Sequence, residues 1–226
     1  MKVAVCVTTY DNGNKQRTTV ALMALLSLYK NLKYTELEWL INDDSPGDDH
    51  SQALQSQFDF TLFRSYGKGV GFGKNTMLRK AFETTPYVLL LEDDWYLPEP
   101  LDLAPHVALL ERAPDIGIIR MGYLGGTIIA NYESNEFYNF WRLHRGSGVY
   151  IYSGQVSLRH KRFYDSVGYH NETLSPGEEE IEMCKRFNGT DNAPDNIWPS
   201  RYGAGLNEGP FKNIGFDFST NGVTPT

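Results

Sequence analysis

Five largely apolar residues, Tyr87-Val88-Leu89-Leu90-Leu91, run directly into Glu92-Asp93-Asp94-Trp95. Three adjacent carboxylates repel one another and are costly to strip of water, so at the end of a buried strand they call for a cation or for several hydrogen-bond donors. A divalent metal is the economical answer. Two further acidic groups stand elsewhere, Asn42-Asp43-Asp44-Ser45 after the apolar segment ending at Ile41, and Gly177-Glu178-Glu179-Glu180 ahead of a helical run. Carboxylates are favoured at a helix N-terminus by the dipole, and a positioned carboxylate can serve as a general base. Each group also has a plain structural reading: a solvated loop with an Asp cap, a turn at Ser45-Pro46-Gly47, and a favourable helix start. The glycine-rich stretch Gly67-Lys68-Gly69-Val70-Gly71-Phe72-Gly73 has neither the Lys-Ser/Thr ending of a P-loop nor the spacing of a dinucleotide fingerprint. His144, His160 and His170 lack paired spacing and read as surface or packing residues.

The elements that must carry these groups alternate. Val3 to Val7 reads as a central strand, Thr18 to Leu32 as a helix, Leu37 to Ile41 as a strand and His50 to Gln57 as a short helix. A strand over Phe60 to Arg64, a helix over Lys74 to Thr84 and the strand Tyr87 to Leu91 follow. This alternation predicts an α/β fold with a mostly parallel central sheet and helices on both faces. In such sheets ligands sit beyond the carboxyl ends of the strands, where Thr8-Thr9-Tyr10-Asp11, Asp43-Asp44, the glycine loop and Glu92-Asp93-Asp94 all fall. The second half is less regular: helices are expected over Leu101 to Arg112, Lys161 to Val167 and Glu178 to Phe187, and strands over Ile116 to Met121 and Gly148 to Tyr152. Tyr123 to Arg145 reads as a hairpin or lid, its aromatics Tyr132, Phe137, Tyr138, Phe140 and Trp141 as core by default.

With 226 residues, 41% of them hydrophobic, the chain can bury a full core, and it shows no repeat or linker, so one domain spanning 1–226 is expected. A net charge of −7 disfavours a passive nucleic-acid or anionic-membrane surface, since those partners are held by clustered Lys and Arg. Cys6 and Cys184 read as buried reduced thiols, and the N-terminal apolar run is too short for a signal-peptide core or a membrane span. A soluble, cytoplasmic protein is the expectation.

Taken in order, Val5-Cys6-Val7-Thr8-Thr9-Tyr10, Asn42-Asp43-Asp44-Ser45, Gly73-Lys74-Asn75, Leu91-Glu92-Asp93-Asp94 and Gly177-Glu178-Glu179-Glu180-Ile181-Glu182 resemble glycosyltransferase family two. The resemblance lies in order and spacing and runs from Val3 to about Gly215. It implies a single glycosyltransferase-A domain with a Rossmann-like nucleotide-binding half over 1–100 and an acceptor and catalytic-base half over 101–226. It further implies a nucleotide-sugar donor, a UDP-sugar foremost, a glycan or other hydroxylated acceptor, and Mn2+ or Mg2+ as cofactor. On that resemblance Thr8, Thr9, Tyr10, Asp11, Asp44, Lys74 and Asp93 bind the donor nucleotide. Asp94 holds the metal with Glu92. Glu180 is the base of an inverting transfer, with Glu179 the near alternative. Trp95, Gly154 and Glu178 face the acceptor. The family's late His ligand is missing: His170 is the last His, and the late segment reads Phe211-Lys212-Asn213-Ile214-Gly215, where Asn213 could ligate through its amide oxygen. A nucleotidyltransferase on a related sheet, or a non-catalytic binding protein on a degenerate transferase fold, stays open beside this reading.

Overall fold

The computed structural model describes residues 1–13, 15–122, 130–134, 138–143, 152, 154–202 and 208–215. The elements, in chain order, are β1 (Val3–Thr9), α1 (Lys15–Asn31), β2 (Leu32–Lys33), β3 (Leu37–Asp43), α2 (Asp49–Gln55), β4 (Thr61–Arg64), α3 (Val70–Ala81), β5 (Tyr87–Glu92), β6 (Trp95–Tyr96) and β7 (Leu101–Asp102). They continue with α4 (Ala104–Arg112), β8 (Ile116–Arg120), β9 (Ala130–Ser134), β10 (Asn139–Leu143), β11 (Ser157–His160), α5 (Lys161–Val167), α6 (Pro176–Gly189), β12 (Asp195–Pro199), a 3-10 turn (Ser200–Tyr202) and β13 (Lys212–Asn213).

Among the described residues nine strands form one sheet in the order β4-β3-β1-β5-β11-β8-β12-β10-β9. Its first four strands are parallel, as alternation with helices requires. The rest corrects the expectation of a mostly parallel sheet. β11 runs antiparallel to both β5 and β8, and β12 pairs parallel with β8 but antiparallel with β10. β9 and β10 form an antiparallel hairpin inside the segment read as hairpin or lid. The sheet is mixed because β8, β9, β10 and β11 follow one another with no helix between them among the described residues, so successive strands are free to reverse.

Two strands escape sequence reading for a physical reason. β11 is Ser-Leu-Arg-His, yet it is central: Arg159 is fully buried, its Nη1 donating to Tyr152 OH at 2.6 Å and Tyr164 OH at 2.7 Å. β12 lies behind a Pro-containing turn with an irregular register at Asp195/Asn196. The strand expected over 148–152 falls outside the described residues except for Tyr152, as do Phe137, His144 and all of 123–129. Of the remaining hairpin aromatics Tyr138 and Phe140 are buried, whereas Tyr132 and Trp141 stack edge to face on an exposed surface.

α3 begins at Val70, four residues before the expected start. Gly69, at φ 94°, is a backbone conformation L side chains rarely adopt, and it turns the chain into the helix. A Cβ on Gly73 would collide with the Asn42 side chain, so these glycines serve helix-to-strand packing as well as the loop. α4 starts three residues late because Pro105 occupies its first turn and Leu101–Asp102 is drawn into pairing with Leu32–Lys33. Both cysteines are free and buried, and burial pushes the Cys6 thiol well above its ordinary value. No helix among the described residues is long and apolar enough to cross a membrane.

Candidate active site

Register brings the polar clusters together. Thr8 pairs with Glu92, Thr9 with Asp43, and Asp43 with Arg64, so four parallel strands end level. β11, running the other way, begins where β5 ends and delivers Gly154 and Gln155 to the same edge. α6 then closes over it. Ser175 caps this helix, with Pro176 following, and Glu178 Oε2 accepts the Ser175 N–H at 3.2 Å and its hydroxyl at 2.6 Å.

Two adjoining cavities result. One, of about 400 Å3, is lined by Thr8, Thr9, Tyr10, Asn42, Asp44, Gly69 and Asp93 among others. The second, of about 360 Å3, is lined by Lys74, Asp94, Trp95, Gly154, Glu179, Glu180, Asn213 and Gly215 among others. Arg17, Glu92 and Pro176 belong to both walls.

In the first cavity Asp44 holds the glycine loop: Oδ1 accepts the Ser65 hydroxyl at 2.5 Å and the Gly67 N–H at 2.8 Å, and Oδ2 the Gly69 N–H at 3.1 Å. Asp93 is 2% exposed and is held by the Thr9 hydroxyl at 2.5 Å and Arg17 Nη2 at 2.5 Å. Behind Thr9 lies a chain the sequence did not reveal. Thr9 Oγ1 meets His50 Nε2 at 2.6 Å, His50 Nδ1 meets Thr18 Oγ1 at 2.9 Å, and Thr18 donates to Asp11 at 2.8 Å. Asp11 therefore supports the site from behind and lines neither cavity.

The second cavity collects charge. Glu92, Asp94, Glu179 and Glu180 face Arg17 and Lys74 across it. Burial raises Asp93 to about 7 and also pushes Asp94 above the usual carboxylate range, with Arg17 opposing both shifts. Desolvation raises Glu92, against the pull of Lys74. Asp94 Oδ1 is buried without a hydrogen-bond partner. Its backbone carbonyl accepts the Ile214 N–H at 2.9 Å, and a Cβ on Gly215 would collide with its carboxylate. Asn213 hydrogen-bonds Asp94 and turns its amide oxygen to the Gly215 N–H at 3.0 Å. Among the described residues no group of three His, Cys, Asp or Glu is arranged to hold a metal alone. Hard oxygens and an unpartnered buried carboxylate oxygen still suit Mn2+ or Mg2+, provided a ligand supplies the remaining oxygens.

The three glutamates at the start of α6 part ways. Glu178 caps the helix and is absent from both cavity walls, so its expected place against an acceptor is not seen. Glu179 is 1% exposed, hydrogen-bonded to His170 and 3.7 Å from Lys74 Nζ. Burial works to raise it, but His170 and Lys74 hold it down to about 2. Glu180 reaches the cavity and accepts the Gly154 N–H at 2.6 Å. His170, read from sequence as a surface or packing residue, is buried behind Glu179 and lines neither cavity, and burial lowers it to about 4. Lys74 lines the second cavity and not the first, and Trp95 is 1% exposed, its ring packed toward Gly122 so that it serves the core as well as the wall.

The sheet, its level parallel edge and the carboxylates gathered there define a glycosyltransferase-A fold. Solved structures with this architecture include S. aureus TarS residues 1-349 in complex with UDP, at 17% identity and a TM-score of 0.61 over 88% of this chain and 58% of that one. The mannosyltransferase PcManGT from Pyrobaculum calidifontis, in complex with GDP-Man and Mn2+, aligns at 20% identity and a TM-score of 0.59 over 87% and 54%. GalNAc-T7 with UDP, GalNAc and Mn2+ aligns at 14% identity and a TM-score of 0.65 over 88% and 42%. The chain spans about half the length of these proteins. No family model matches it, and no curated protein matches its sequence.

Proposed function

We propose that the protein is a metal-dependent inverting glycosyltransferase of the family-two type, moving a sugar from a nucleotide diphosphate, a UDP-sugar foremost, to a hydroxyl of a glycan or another small acceptor. The observation that carries this reading is the pair of joined cavities, with Asp94 from the end of β5 and Glu180 from α6 in the walls of the second. The nucleoside fits the cavity of about 400 Å3, where Asp44 and Asn42 offer polar contacts to a base and Tyr10 an exposed ring. The diphosphate then crosses the shared wall and the sugar enters the second cavity. The UDP and GDP-Man complexes of TarS and PcManGT support a nucleotide-sugar partner.

Asp94 would hold the cation, with Glu92 and the Asn213 amide oxygen as further oxygen donors. When bound, the cation supplies Lewis-acid stabilisation of the diphosphate. The acceptor oxygen attacks the anomeric carbon from the side opposite the diphosphate, and Glu180 takes its proton. The bond from that carbon to the diphosphate oxygen breaks, its electron pair leaving with the diphosphate, and the configuration inverts. Glu179 suits the base role poorly, because His170 and Lys74 already occupy its carboxylate.

A thermal-shift and calorimetric screen of nucleoside diphosphates and nucleotide sugars, each with Mn2+, Mg2+ or chelator, tests the reading. One diphosphate class should stabilise the protein in a metal-dependent way. Asp94→Ala should abolish the metal-dependent part, and Glu180→Gln should keep donor binding while transfer drops by about two to four orders of magnitude. Near-normal turnover in Glu180→Gln would move the base elsewhere, and silence toward every nucleotide would overturn the transferase reading.

A further inference from the structure

Arg17 belongs to the walls of both cavities, and it rises from the first turn of α1. Its Nη2 donates to Asp93 Oδ1 at 2.5 Å, its Nη1 lies 4.0 Å from Asp94 Oδ2, and 22% of its side chain is exposed. A donor with its base in the first cavity and its sugar in the second must carry its diphosphate past this guanidinium. Lys74 is engaged deeper, 3.8 Å from Glu92 and 3.7 Å from Glu179.

We infer that Arg17 is a catalytic residue with two states: resident counter-ion of Asp93 and Asp94 when the site is empty, and hydrogen-bond donor to the departing diphosphate when the donor is bound. The inference rests on the transferase reading and deepens it. A guanidinium carries five N–H donors in a planar fork that matches phosphate oxygens in pairs, and it keeps its charge at any working pH. The Asp93 contact uses one edge and fixes the plane, so the group is oriented before the reaction. As the bond between the anomeric carbon and the diphosphate oxygen breaks, the electron pair stays on that oxygen and the diphosphate becomes more negative. A fixed cation beside it then stabilises the transition state more than the bound donor. This second source of charge offsets the sparse metal ligation, so the nucleoside diphosphate should bind in part without metal.

Calorimetry of uridine and UDP, each with Mn2+ and with chelator, separates the possibilities in wild type, Arg17→Lys, Arg17→Gln and Arg17→Ala. Arg17→Gln keeps a donor for Asp93 without the charge, and a thermal melt within a few degrees of wild type reports an intact fold. In chelator, UDP should bind Arg17→Gln and Arg17→Ala at least about ten-fold more weakly than wild type, with Arg17→Lys between, and Mn2+ should narrow the gap. In turnover, kcat should fall more than the donor KM rises. UDP binding in chelator that is equal in wild type and both uncharged variants would overturn the role of Arg17 and leave the transferase reading standing. Absence of UDP binding to wild type with or without Mn2+ would overturn both.

Discussion

At the scale of single residues, the site is an arrangement of carboxylates whose neighbours set them to different tasks. Glu178, Glu179 and Glu180 are chemically alike and adjacent, yet one caps a helix, one is locked by His170 and Lys74, and one reaches the cavity. The cluster was legible as three glutamates ahead of a helical run, which suit a helix start as well as a site. Its division of labour was not legible, since it depends on His170, Gly154 and Lys74 arriving from distant segments. Arg17 and His50 were invisible for the same reason: neither lies in a motif, and each acquires meaning only when α1 and α2 fold over Thr9 and Asp93. Gly215 tests how tightly Asp94 is placed. A methyl group there would strike the Asp94 side chain, to which its three nearest atoms all belong. Gly215→Ala should therefore weaken metal-dependent donor binding by about ten-fold or more while leaving the melting temperature within a few degrees, as read by calorimetry beside a thermal melt. Equal metal affinity would mean that the late segment can give way and that Asp94 is not pinned by it.

At the scale of elements, the parallel half of the sheet was legible and the mixed half was not. β1 and β5 are continuous apolar runs, buried between neighbours on both sides, and their polar ends fall where the chain must turn. β11 carries Arg159 in the core, where two tyrosine hydroxyls and the Ser157 hydroxyl accept from the guanidinium, and no periodicity announces that. The glycines around α3 were read as loop because their packing against Asn42 is a tertiary fact. α6 was placed two residues late, and the missing part is the cap itself, Ser175 and Pro176. That cap bears on the candidate site by position, since the first turn of α6 carries Glu179 and leads directly to Glu180. Ser175→Ala should cost about 1 kcal/mol of stability through the lost cap. It should also lower kcat more than it raises donor KM, because the fraying turn leads into Glu180 while only Pro176 of that turn lines the nucleotide cavity. Urea denaturation and steady-state kinetics check the two parts, and a change confined to donor KM would contradict the assignment of this turn to the acceptor side.

At the scale of the whole molecule, titrations of opposite sign meet in one site. Asp93, raised by burial to about 7 from an ordinary carboxylate value near 4, binds a proton more tightly when folded, so its contribution is greatest at low pH and is lost as pH rises toward 7. His170, lowered by burial to about 4 from 6.5, stays neutral in the fold while the unfolded chain protonates it. Its contribution is therefore complete above about 6.5 and is lost as pH falls toward 4. The neutral form fits the geometry, for Nδ1 faces Glu179 and Nε2 is buried without a partner. Across the shared window the two slopes oppose, and removing one should expose the other. Asn at position 170 keeps an amide N–H near the place of Nδ1 but cannot titrate. Relative to wild type, His170→Asn should gain stability on going from pH 7.5 to pH 4, by up to about 3 kcal/mol, and its own curve should fall with rising pH as Asp93 ionises. Chemical denaturation at several pH values reads both slopes. A wild-type-minus-variant difference that does not change with pH would mean that His170 titrates alike folded and unfolded, and a change of the opposite sign, the variant losing relative to wild type as pH falls, would mean that it is held as the cation of an ion pair with Glu179 rather than in the neutral contact argued above.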